Sequence, residues 1–244
     1  MKKSILLLLL LFVTANSFAH FMWVETSPVG KINNKQEVRV YFGEYTYGEI
    51  ENAGEEAFNK VKNFDVWIIS PTGEKTKLQM TPAIRFYAGS FEPKTNGTYT
   101  VLLNNNSIDV IDYTQYNFGI FKTHYQATAK VEVGSKATEA FTLSPDSFTI
   151  VDITKKVHVV NGEASFRIFY KGMPIKDQEV TVFITDQWSK KVYTDKDGII
   201  KFRLPWGVKY IMEITKKEEV PGNYNGKEYQ FIWHCETYSI LAEK

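Results

Sequence analysis

Nearly every readable segment of this 244-residue chain either alternates apolar and polar residues with period two or is a short β-branched and aromatic run, and both patterns select strands over helices. Residues 36–42 read Gln-Glu-Val-Arg-Val-Tyr-Phe, which puts Val38, Val40 and Phe42 on one side of a strand. Runs at 64–69, 85–91, 97–103 and 123–133 share this character, with turn chemistry such as Ser70-Pro71-Thr72-Gly73 between them. The pattern restarts after Leu143-Ser144-Pro145-Asp146, with strands expected at 162–170, 178–185, 190–194, 198–204, 209–216 and 229–241. Val157-His158-Val159-Val160 reads as one more short strand, in which His158 is structural. Only residues 50–61 could hold a helical turn or two. The spacing predicts an all-β chain of two antiparallel β-sandwich lobes, residues 20–145 and 146–244.

The first nineteen residues are of another kind. Lys2 and Lys3 precede an apolar run from residue 5 to residue 13, and Ser17 and Ala19 flank Phe18 in a small-x-small site. That order predicts a cleaved secretory signal peptide over residues 1–19, since the apolar run is about half of what a membrane-spanning helix needs. The remaining protein of about 225 residues is expected in the periplasm or beyond, and not to span the membrane itself. Cys235 is the only cysteine, so no internal disulfide can form and the core must hold the fold alone; the thiol itself reads as a small buried hydrophobe. Without the leader the chain has 27 basic and 28 acidic residues and no basic run, which argues against nucleic acid as a partner.

A cut after Ala19 makes His20 the first residue, and its free α-amine and imidazole can then chelate one metal ion together. Both groups lose their protons near neutral pH. No Gly-x-Ser-x-Gly elbow and no His-Glu-x-x-His helix is present, so the chain is not expected to be an enzyme. Asp195 and Asp197 ahead of Gly198 read as a tight hairpin, because a calcium loop would need further acidic ligands and a closing Glu.

Two resemblances add to this reading. Gly172-Met173-Pro174, Val180-Thr181-Val182, Thr194-Asp195-Lys196-Asp197-Gly198 and Leu204-Pro205-Trp206-Gly207 make the second lobe resemble transthyretin-like, Ig-like sandwiches of the carboxypeptidase-regulatory type. Over the whole chain, Ala19-His20 followed by Phe21, Trp23 and Glu25, then His124-Tyr125, then His234, Glu236, Thr237 and Ser239, resembles a family of exported bacterial proteins. That family is known as domain of unknown function 4198 and is labelled NikM-like. The resemblance implies a role accessory to nickel or cobalt uptake, a divalent transition metal as cofactor, and a membrane metal transporter as partner. It also implies His20, His124 and His234 as ligands. Where relatives have Gly-His after the first long strand, this chain has Gly43-Glu44, which puts a carboxylate in the place of an imidazole and makes Glu44 the fourth candidate.

The leading expectation is therefore a periplasmic divalent-metal-binding accessory protein with nickel, cobalt or copper at His20, His124, His234 and Glu44. A second class is copper-dependent oxidation, in which the His20 chelate pairs with one more histidine and Tyr125 stands at the axial position. A third is a non-catalytic envelope or carbohydrate-contacting module that uses Trp188, Trp206 and Trp233 as platforms.

Overall fold

The computed structural model describes residues 20–134, 143–154, 157–185 and 187–243, and the leader read at residues 1–19 lies outside them. The chain is all-β. Thirteen strands of five or more residues are present among the described residues. In the first half these are β1 (Phe21–Thr26), β2 (Gln36–Glu44), β3 (Asp65–Ile69), β4 (Tyr87–Phe91), β5 (Gly97–Asn105) and β6 (Gly119–Val133). The second half holds β7 (Phe148–Asp152), β8 (Glu163–Tyr170), β9 (Glu179–Phe183), β10 (Ser189–Tyr193), β11 (Ile199–Arg203), β12 (Lys209–Glu218) and β13 (Phe231–Leu241). The 50–61 stretch contains one helical turn, Glu56–Asn59. No helix among the described residues is long and apolar enough to cross a membrane. At 157–160 only an isolated bridge from Val159 to Glu243 forms, so the strand expected there is not present.

One ten-stranded sheet runs through both halves in the order β10-β9-β12-β13-β6-β5-β3, ending on the short strand Lys75–Leu78. Its centre is the pairing of β6 with β13, which is parallel, from Phe121 opposite Phe231 to Thr128 opposite Tyr238. All other pairings of these thirteen strands with one another are antiparallel. The parallel contact arises because the last strand returns across the molecule to the edge of β6.

The two faces of this sheet carry different cores. Successive strand residues point to opposite faces. The odd-numbered residues Ala127, Ala129, Val131 and Val133 of β6 pack with Met22, Val24, Val38 and Val40 of the β1-β2-β4 sheet. The even-numbered Tyr210, Met212 and Ile214 of β12, with Tyr238 and Ile240 of β13, pack instead against Phe148, Ala164, Phe166, Ile168 and Phe202 of the β7-β8-β11 sheet. Two sandwiches thus share one sheet, on opposite faces of it. A smaller cluster of Phe21, Trp23, Tyr41, Tyr45, Ile211 and Cys235 joins them.

Strand β1 belongs to both the first core and this junction, so Phe21, Met22, Trp23 and Val24 are all buried. That is why its sequence shows no alternation.

Candidate metal site

Strand β1 lies antiparallel to β2 with Phe21 opposite Gly43, which sets His20 beside the last residue of β2, Glu44. After Glu44 the chain makes a short 3-10 turn, Tyr45–Tyr47, and reverses through Gly48 at φ 70°. Glu49 and Ile50 then pair back onto Glu44 and Gly43, and the Glu51 N–H donates to the Phe42 carbonyl at 2.9 Å. This hairpin needs glycine at position 43: φ is +150°, and a Cβ there would lie 2.3 Å from the Glu49 carbonyl oxygen.

The hairpin sets a carboxylate on each side of the His20 ring. Nε2 lies 2.7 Å from Glu51 Oε1, and Nδ1 lies 3.5 Å from Glu44 Oε1. The ring packs on Phe42 at 5.3 Å between centroids. Glu44 is buried, and its Oε1 makes no hydrogen bond of ordinary length. The His20 side chain is 33% exposed, so one side of the site is open to solvent. The Glu44 carboxylate facing Nδ1 raises the imidazole pKa most; burial opposes this and Glu51 adds to it. Sequence reasoning missed Glu51, because a carboxylate in a polar loop carries no signal of its own.

Below this site lie more buried polar groups. Tyr125 of β6 donates its hydroxyl to the His20 carbonyl at 2.9 Å, and burial keeps the phenol well above its usual pKa. Its hydroxyl is thus engaged with backbone. The Cys235 thiol is buried and points at Glu213 Oε1 at 3.5 Å. Burial pushes the Glu213 carboxyl up to about 7, and the charge of Glu44 adds to the shift.

His124 and His234 sit elsewhere. Tyr125 faces β1, so its neighbour His124 must face the opposite side of the shared sheet, where His234 stands directly across the parallel pair. Their rings meet edge to face at 5.2 Å. His234 Nδ1 lies 3.2 Å from Ser147 Oγ, and Nε2 lies 2.8 Å from Glu218 Oε2. Glu218 is also paired with Lys171. Burial would raise the Glu218 carboxyl, but the hydrogen bonds from Lys171 and His234 prevail and hold it at about 2. Burial lowers both imidazoles, His124 to about 4. The structure therefore joins His20 to Glu44, and His124 to His234, in two clusters on opposite faces. The expected meeting of all three histidines is not what the strand alternation allows.

Among the described residues, no three His, Cys, Asp or Glu side chains form a ready-made metal cage. His158 pairs with Asp152 at 2.7 Å and stacks on Phe166, apart from both clusters. Glu25 accepts from the Trp23 indole at 2.9 Å and pairs with Lys209, while Glu49 is exposed. Of the three tryptophans read as platforms, Trp206 is exposed; Trp188 packs edge to face on it, and Trp233 packs partly into the junction cluster.

The family model described as Domain of unknown function (DUF4198) matches residues 17–218. No curated protein matches the chain. Among solved structures, one from work on host cell surface retention of a 1.5-MDa bacterial ice-binding adhesin aligns at 11% identity, covering 92% of this chain and 65% of that one, with a TM-score of 0.27. A DUF4785 family protein from Legionella pneumophila aligns at 9% identity over 79% of this chain and 51% of that one, with a TM-score of 0.27. A two-domain fibronectin type-III segment of chicken tenascin aligns at 16% identity over 87% and 95%, with a TM-score of 0.24. This chain thus spans less than two thirds of the first two structures.

Proposed function

The chain belongs to the DUF4198 family, whose description assigns no activity, and from that premise we propose that it is an exported divalent-metal-binding accessory protein. It holds nickel, cobalt or copper at His20 and Glu44 and presents the ion to a membrane transporter. The observation that carries this reading is the pair of facing acceptors. Glu51 occupies His20 Nε2, and Nδ1 looks across 3.5 Å at a buried carboxylate oxygen that has no other partner. Two acceptors in that position call for a cation between them, either a proton or a metal ion.

The spacing suits the larger cation. Metal–nitrogen bonds of about 2.0–2.1 Å and metal–oxygen bonds of about 2.0–2.2 Å at a tetrahedral angle separate the two donors by about 3.4 Å. Glu51 on the far nitrogen is the carboxylate partner that orients a metal-bound imidazole and makes it more basic. Processing after Ala19 adds the α-amine as a third donor. A set of nitrogen and oxygen donors suits divalent nickel, cobalt, copper and zinc. The open side of the site leaves positions free for ligand exchange, which transfer to a partner requires.

The test is a titration of nickel(II), cobalt(II) and copper(II) into the exported, processed protein, with its first residue identified by mass spectrometry. One ion per chain is expected. Affinity should fall at least tenfold for Glu44→Gln and for a protein carrying one residue before His20. A processed protein that binds none of the three ions would end the reading.

A further inference from the structure

We propose that Tyr125 is the positioning residue of this site: by donating its hydroxyl to the His20 carbonyl, it fixes the imidazole between Glu44 and Glu51. The inference rests on the metal-binding reading for its purpose, but not for its geometry.

Strand β1 is paired with β2 along one edge only. On its other edge, alternate carbonyls accept hydrogen bonds from side-chain hydroxyls of the shared sheet. Ser239 Oγ donates to the Val24 carbonyl at 2.5 Å, and Thr237 Oγ1 donates to the Met22 carbonyl at 2.8 Å. Both contacts have the same offset along the chain. Continuing it by one step sets Cys235 against the His20 carbonyl. A thiol is a weak donor, and this one is turned toward Glu213. The bond is made instead by the residue directly across from Cys235 on the neighbouring strand, Tyr125, whose longer side chain reaches the carbonyl at 2.9 Å.

That third contact differs from the other two in what it controls. Met22 and Val24 lie inside the β1–β2 ladder, where their partners Phe42 and Val40 already fix them. His20 precedes the first ladder pair, Phe21 with Gly43, so its backbone is held from only one side by the strand. Its ring, however, must meet two carboxylates borne by the hairpin that follows β2. The Tyr125 hydroxyl supplies the missing restraint, and Phe42, in contact with both rings at 5.3 and 6.3 Å, forms the wall between them. A binding group held to within a fraction of an ångström by packing and outer hydrogen bonds is what a preorganised site requires.

The test compares Tyr125→Phe, which removes only the hydroxyl, with Thr237→Val, which removes the next hydroxyl of the same series. Two quantities are measured on the processed full chain: the order parameter of the His20 ring by NMR relaxation without metal, and affinity for nickel(II). Tyr125→Phe should lower the ring order and weaken nickel binding at least tenfold. Thr237→Val should leave both unchanged, whatever it does to thermal stability. An unchanged ring order in Tyr125→Phe overturns the proposal, and so does equal loosening in both variants, which would mean general docking of β1. If the ring loosens in Tyr125→Phe alone while the native protein binds no nickel, Tyr125 keeps its positioning role and the metal reading is the one that fails.

Discussion

His124 and His234 stand directly across from each other on parallel strands, their rings nearly perpendicular at 87° and 5.2 Å apart. This pair lies on the face of the shared sheet that carries the second sandwich, whereas His20 lies on the face that carries the first. Tyr170 packs its ring against His234 from β8, and Ser147 reaches it from just before β7. His234 therefore ties the second sandwich to the centre of the shared sheet.

Substituting His234 with Ala should accordingly destabilise the fold without touching the His20 site. The change leaves the buried Ser147 hydroxyl and the Glu218 carboxylate each one partner short, a loss of roughly 1–3 kcal/mol. Urea unfolding should show that loss, while nickel affinity stays within twofold of the native value.

A substitution in the hairpin should do the reverse. Gly43→Ala places a methyl group against the Glu49 carbonyl and forces the turn that carries Glu44 and Glu51 to move. Strain at a special backbone conformation typically amounts to about 1–3 kcal/mol. Calorimetry should register a modest fall in the melting temperature, together with a loss of metal affinity out of proportion to it.

Much of this architecture is legible in the sequence wherever one face of a strand is buried and the other is not. Val38 and Val40, on either side of the half-buried Arg39, announce β2 in this way, and Phe202 with Leu204 does so for β11 and its exit. Strand β1 escapes because both its faces are buried, so Phe21, Met22, Trp23 and Val24 form a continuous apolar run with no alternation to read. The short β7 escapes as well, since Phe148, Ile150 and Val151 are all buried and the period is lost. The division of the histidines was within reach. His124 and Tyr125 are neighbours in one strand and cannot face the same side, so at most one of them could approach β1. What no sequence pattern supplies is the parallel return of β13, and that return alone decides that His234 meets His124.

Glu213 gives a pH prediction with a definite sign. Burial raises its carboxyl from 4.5 to about 7 in the folded protein. Between those values the folded chain holds a proton that the unfolded chain has released, so stability falls as pH rises from 4.5 to 7 and stays low above. Glu213→Gln removes that penalty. At about 1.36 kcal/mol per pKa unit the gain at pH 8 is roughly 3 kcal/mol at most, and near pH 4.5 it vanishes. Urea midpoints measured at the two pH values would contradict this if the variant gained equally at both.

His20 should reverse its pH dependence when metal is added. Without metal, the carboxylates of Glu44 and Glu51 raise its pKa above the ordinary 6.5. Its contribution to stability is then complete below 6.5 and is lost as pH rises through the folded value. A metal ion needs the unprotonated ring, so its stabilisation follows the opposite course, absent when the imidazolium holds the site and growing as the proton leaves. Binding to the folded state alone adds about 2.7 kcal/mol at a hundredfold excess over Kd. Melting curves of the processed protein, with and without nickel(II), should therefore diverge as pH rises, starting from near coincidence below pH 6. In His20→Ala the two sets should coincide throughout. A nickel effect that survives this substitution, or that is as large at pH 5.5 as at pH 8, would place the ion at some other group.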